Sequence, residues 1–192
     1  MKIYFCIILA VLVSSCTHYV VNDAGYIRPP KSQKFSYKKK SASLNFALID
    51  TNSIYYSSNG YFYKNDKGSK LSDKYIRFYG DGRFKLQGLK KSPPELADIN
   101  NPDVGVVGYY ITQGNAVKML IYTDIDAGSI QLEYGYIDEN GTLIVMHDNP
   151  RVDFNMGYNE KKIRRLIDKS PFSPEIYKKT PINGLTYLAP NW

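Results

Sequence analysis

Lys74-Tyr75-Ile76-Arg77-Phe78-Tyr79, then Gly80-Asp81-Gly82, then Arg83-Phe84-Lys85-Leu86-Gln87, reads as two strands and the turn between them. Ile76 and Phe78 fall on one face of the first strand, and Tyr75 and Tyr79 on the other. Past the turn, Phe84 and Leu86 share a face, while Arg83, Lys85 and Gln87 share the opposite one. A period of two is that of a pleated strand with one apolar side and one wet side. Asp81-Gly82 supplies the positive φ that a tight connection demands.

The same pattern extends in both directions. Asn59-Gly60, Gly114-Asn115 and Asn140-Gly141 are further turn pairs, and segments rich in Tyr, Ile, Phe and Val flank them. Residues 106–112 and 117–123 form one expected hairpin, and 129–137 and 142–147 another. Shorter strands are expected at 44–49, 53–57 and 61–64. That makes eight or nine antiparallel strands in sequential order. A sheet of this size curls, and closure removes its exposed edges. The expected class is mainly β: an antiparallel meander forming a small barrel or a strongly curved sheet, with a β-sandwich as the alternative. The stretch 89–103, with Pro93-Pro94 and Pro102, interrupts the meander as a long surface loop, a kind of segment that often carries function.

Beyond the meander the periodicity changes. Ile163, Leu166 and Ile167 recur at helical spacing within 158–169, with Lys161, Lys162, Arg164, Arg165 and Lys169 around them. Asn155 or Asn159 is placed to cap the start of this one amphipathic helix. Pro171, Pro174 and Pro181 forbid a second long helix, and Tyr187, Leu188 and Trp192 mark a tail that packs down.

The amino terminus carries a different signal. Lys2 precedes eleven apolar residues, Ile3 to Val13, and then Ser14-Ser15-Cys16. One positive charge, a short greasy core and small residues make a secretory signal peptide, and the run is too short to span a bilayer, which takes roughly 20 residues. Val13-Ser14-Ser15-Cys16 resembles the lipobox of bacterial lipoproteins. That resemblance implies cleavage between Ser15 and Cys16, a diacylglycerol thioether on Cys16, and a mature chain of 177 residues moored to the cell envelope. Thr17 stands where an aspartate retains enteric lipoproteins at the inner membrane, so by analogy the outer membrane is the expected address. Four segments follow: the signal peptide at 1–15, a lipidated tether at 16–43 interrupted by Pro29-Pro30, a β-domain at 44–150, and a helix with its packed tail at 151–192.

Catalytic chemistry leaves little trace. Cys6 lies in the removed segment and Cys16 is acylated, so no thiol remains for a disulfide, a nucleophile or a metal. His18 lies in the tether. His147 and Asp148 are adjacent, and neighbours on a strand point to opposite faces rather than forming a relay. Asp124-Ile125-Asp126-Ala127-Gly128 opens like a calcium loop, yet Gly135 occupies the position of the required glutamate. No cofactor or metal site is expected. The net charge of +7 sits in short clusters, such as Lys38-Lys39-Lys40, without a nucleic-acid-binding motif.

Eighteen tyrosines remain. Tyrosine joins an apolar body to a polar tip, which suits binding surfaces, and Tyr75 with Tyr79 and Tyr134 with Tyr136 share faces as a candidate ligand-binding set. Tyr75-Ile76-Arg77-Phe78-Tyr79-Gly80-Asp81-Gly82-Arg83 and Gly108-Tyr109-Tyr110-Ile111 resemble the lipocalin-like lipoproteins of Bacteroidetes-type bacteria over about 50–148. The resemblance implies a small barrel with an apolar ligand in its mouth. Two functions are expected from this sequence. In the first, a non-enzymatic, membrane-anchored lipoprotein binds a small apolar or amphipathic ligand, its tyrosines converging inward. In the second, an interaction module docks an envelope or secreted protein through an aromatic face or the 89–103 loop, and its interior is filled.

Overall fold

The computed structural model describes residues 19–30, 48–58, 73–89, 93–125, 128–146 and 159–186. Cys16, Ser15, His18, His147, the Asn59-Gly60 pair, the expected strand at 61–64, most of that at 44–49 and the tail from Tyr187 onward lie outside these residues.

Eight antiparallel strands close into a barrel. In chain order they are β3 (Ser53–Ser57), β4 (Lys74–Phe78), β5 (Arg83–Gly88), β6 (Val106–Gln113), β7 (Ala116–Thr123), β8 (Ser129–Ile137), β9 (Leu143–Met146) and β10 (Glu175–Pro181). Each pairs with its sequence neighbour, and β10 closes the ring by pairing with both β9 and β3. Closure leaves no free edge, and the sandwich alternative falls with it. The closing strand comes from the region expected to hold only a helix and a tail, so the barrel draws on residues beyond 150.

The turns form as the sequence implies. Gly82, Gly114 and Gly141 adopt φ of +87°, +55° and +76° in the three tight connections. All three lie at one end of the barrel. The opposite end carries the long connections, including α1 (Leu96–Asn100) between β5 and β6, and α2 (Glu160–Lys169) between β9 and β10. Asn159 caps α2 by accepting from the Lys162 amide at 2.9 Å, and Ile163 and Ile167 bury against Tyr134, Tyr136 and Met146 on the outer wall. Residues 19–30, expected as tether, contain the two-residue strands β1 (Val20–Val21) and β2 (Ile27–Arg28). Tyr19 and Ile27 dock there on Tyr109 and Tyr122 of the barrel.

The interior is packed with side chains. Tyr55, Phe78, Phe84, Tyr110, Met119, Leu143 and Tyr177 belong to one buried cluster. Phe78 anchors it, with ring centroids 5.2 Å from Tyr55 and 4.7 Å from Tyr110, both edge-to-face, the favoured aromatic geometry. Gly108 admits the Phe84 ring, since a Cβ there would meet that ring at 2.6 Å. Toward the long-loop end the lumen becomes polar. Lys74 pairs with Glu175, the Tyr177 hydroxyl donates to the other Glu175 oxygen, and Glu133 stands near this group.

Candidate functional site: the roofed polar face of β4 and β5

Cross-strand register sets which side chains leave the barrel. Ile76 pairs with Leu86 and Phe78 with Phe84, all inward, so Tyr75, Arg77 and Tyr79 project outward opposite Gln87, Lys85 and Arg83. The sequence marks this face as wet, and Arg83 stays partly accessible, but the rest is closed off. Lys85 is 0 % exposed, Arg77 3 %, Tyr79 6 % and Gln87 7 %. The roof is α1, the turn after it, and residues 182–186. Ile99, Leu89, Ile182 and Leu185 pack with Tyr75 and Ile54 beneath them.

Buried cations need partners, because desolvation without compensation is costly. Here the partners are backbone carbonyls and one side-chain amide oxygen. Lys85 Nζ donates to Asp98 O and Asn101 O, each at 2.7 Å. Arg77 donates to Ile99 O at 2.9 Å, to Asn100 Oδ1 at 3.1 Å and to Thr186 O. Arg28, reaching in from β2, donates to Gly105 O at 2.9 Å and Asp103 O at 2.6 Å. Carbonyls at the carboxyl end of a helix are unsatisfied within it and carry partial negative charge, so cations suit them. Asn100 completes the fastening, donating to Gly184 O and accepting from the Thr186 amide.

Burial pushes the Lys85 ammonium down to about 7, Arg77 repels it further, and Asp98 opposes the shift. Burial also lowers Arg77 and raises the Tyr75 and Tyr79 phenols, which therefore stay protonated donors. The Tyr75 hydroxyl donates to Gln87 Oε1. On this face two buried atoms have no hydrogen-bond partner, Arg77 Nε and the Tyr79 hydroxyl; Thr123 Oγ1 on β7 is the third such atom among the described residues.

A cleft opens at each end of the roofed face. One, of about 380 Å³, lies at the Gln87 end among Tyr26, Leu89, Pro93, Pro94, Glu95 and Asp98. The other, of about 200 Å³, lies at the turn end among Thr51, Asn52, Arg77, Tyr79, Asp81 and Leu185.

The four candidate tyrosines do not converge. Tyr75 lies on β4 beneath the α1 roof and Tyr79 directly after the end of β4, while Tyr134 and Tyr136 lie on β8 beneath α2, four strand positions away around the ring of eight. All four leave the barrel rather than enter it. Arg164 covers Tyr136 at 4.0 Å from its ring and donates to its hydroxyl at 3.0 Å, so that pair is a helix-docking surface. Tyr79 alone of the four lines one of these clefts. Sequence reasoning missed Arg77, Lys85 and Arg28, whose carbonyl partners leave no mark in the residue pattern.

Among the described residues no group of three or more His, Cys, Asp or Glu is placed to hold a metal ion. No family model, curated protein or solved structure matches this chain.

Proposed function

We propose that this chain is an envelope lipoprotein, tethered through diacylglycerol on Cys16, whose barrel binds a small amphipathic ligand on its outer wall. The role is binding rather than catalysis. The observation that carries the reading is the roofed face itself: a row of buried polar side chains, fastened to a short helix and a returning chain segment, with a cleft at either end. Ligand sites are concave, largely preformed, and combine apolar walls with a few placed polar groups. The larger cleft falls within the roughly 300–1,000 Å³ range of such sites. The filled interior argues against a ligand held inside the barrel, contrary to inward-converging tyrosines. It is what the second reading expects, a protein partner docking on the segment that carries Pro93-Pro94 and α1.

Native mass spectrometry of the mature chain carrying Cys16→Ser, purified without lipid, separates the two. A retained molecule of a few hundred daltons is the expected result. An unliganded barrel that co-purifies with a stoichiometric protein would transfer the role to the second reading.

A further inference from the structure

We infer that the cleft at the turn end of the roofed face is a carboxylate-binding subsite, in which the Tyr79 hydroxyl and Arg77 Nε donate to the carboxylate of a small ligand whose apolar body rests on Leu185. The inference rests on the outer-wall binding reading above and specifies the chemistry of one of its clefts.

Three observations converge on it. Arg77 and Tyr79 both line this cleft, and each holds a buried polar atom without a partner, in a molecule that otherwise satisfies the polar groups of this wall. A native structure leaves few such atoms, because each forfeits its hydration without a compensating bond, so two neighbouring ones call for an acceptor. The two side chains are also preorganised: the Arg77 guanidinium lies 4.9 Å from the centroid of the Tyr79 ring, and its remaining nitrogens are fixed on Ile99 O, Asn100 Oδ1 and Thr186 O.

The third observation is charge. Arg77 and Lys85 are both buried, and the hydrogen bonds that hold them end on carbonyl and amide oxygens rather than carboxylates. Arg77, the one of the two that lines the cleft, therefore keeps a buried positive charge with no carboxylate bonded to it, and an anion offsets that charge. Asp81, on the same cleft, is occupied by Arg83, whose Nε donates to it at 2.6 Å. At about 200 Å³ the cleft is below the size for drug-like ligands, so it takes a small acid or the end of a longer one.

A free carboxylate on an apolar body has two sources, a fatty acid and a peptide carboxyl terminus, and two probes distinguish them. Octanoate with octan-1-ol as control, and N-acetyl-Ala-Phe with its carboxyl-terminal amide as control, are titrated by calorimetry into the soluble mature chain carrying Cys16→Ser. One of the two acids is expected to bind at least tenfold more tightly than its neutral counterpart. Tyr79→Phe is expected to weaken it by about ten- to a hundredfold, the range for a hydrogen bond to a charged group. The same substitution removes a buried, unpartnered hydroxyl, so the melting temperature should hold or rise, which separates lost binding from lost fold. Equal binding of acid and neutral control, or of the wild type and Tyr79→Phe, overturns the carboxylate assignment while leaving an outer-wall site standing. No binding of any probe, together with a chain that retains no small molecule, overturns both.

Discussion

Gly108→Ala is expected to destabilise the barrel by about 3 kcal/mol or more, at the upper end of overpacking costs. An added Cβ would lie 2.2 Å from the Leu120 carbonyl oxygen and 2.6–2.7 Å from two atoms of the Phe84 ring. The first neighbour is backbone in the adjacent strand, paired through Gly108 opposite Ile121, and cannot yield without opening the ladder. The second is a fully buried ring packed against Phe78. Gly114→Ala is the informative control. Nothing lies within 4 Å of its Cβ position, so only its φ of +55° resists the change, and about 1 kcal/mol is expected. Urea unfolding of both variants measures the difference. Similar losses for the two would show that β5, β6 and β7 do not approach as closely as described.

Stability is expected to pass through a dip near pH 7. Burial, reinforced by the Glu175 carboxylate and opposed by Lys74, raises Glu133 from 4.5 to about 7. Between those values the folded chain holds a proton that the unfolded chain has released, so stability falls as pH rises. Lys85 acts in the opposite sense. With its folded value near 7 against 10.5 in the open chain, the unfolded state holds the extra proton above pH 7, and stability rises. Near pH 10 the rise ends. The buried phenols of Tyr55, Tyr75, Tyr79 and Tyr110 then ionise only on unfolding, which favours the unfolded state. Between pH 5 and 7, and again between pH 7 and 9, the change amounts to roughly 2–3 kcal/mol at about 1.4 kcal/mol per pH unit. Urea unfolding at pH 5, 7 and 9 tests this. Glu133→Gln should flatten the acid limb and Lys85→Met the alkaline one, whatever either does to stability at a single pH. A wild-type profile that peaks at pH 7 would contradict both assignments.

The hairpins were legible because their residues speak locally. β3 and β8 occupy the expected residues 53–57 and 129–137, marked by their aromatic and β-branched content and, for β8, by the Asn140-Gly141 turn beside it, and Asn159 is one of the two cap candidates for α2. β10 was not legible. Glu175, Tyr177 and Lys179 face inward and Ile176, Lys178 and Thr180 outward, so polar residues stand on both sides and the apolar–polar alternation is absent. The strand exists because β9 and β3 each offer an edge, a tertiary cause with no local signature. Arg83, Lys85 and Gln87 likewise read as a wet face, since nothing in the hairpin announces a roof formed by residues 96–105 and 182–186. Apart from Asn100 Oδ1 on Arg77, backbone carbonyls supply the partners of Lys85 and Arg77, and every residue type carries one. Tyrosine content was visible, but its direction was not. Tyr55, Tyr110 and Tyr177 fill the lumen, and the four tyrosines expected to converge inward sit outside it.

The proposed diacylglycerol on Cys16 would hold this barrel at a membrane surface through a single sulfur. Fractionation of cells expressing the wild type and Cys16→Ser, with incorporation of labelled palmitate followed in both, tests that placement directly. The account predicts a labelled wild-type protein in the membrane fraction and an unlabelled Cys16→Ser protein outside it. A Cys16→Ser protein that still takes up palmitate and still sediments with membranes would contradict it.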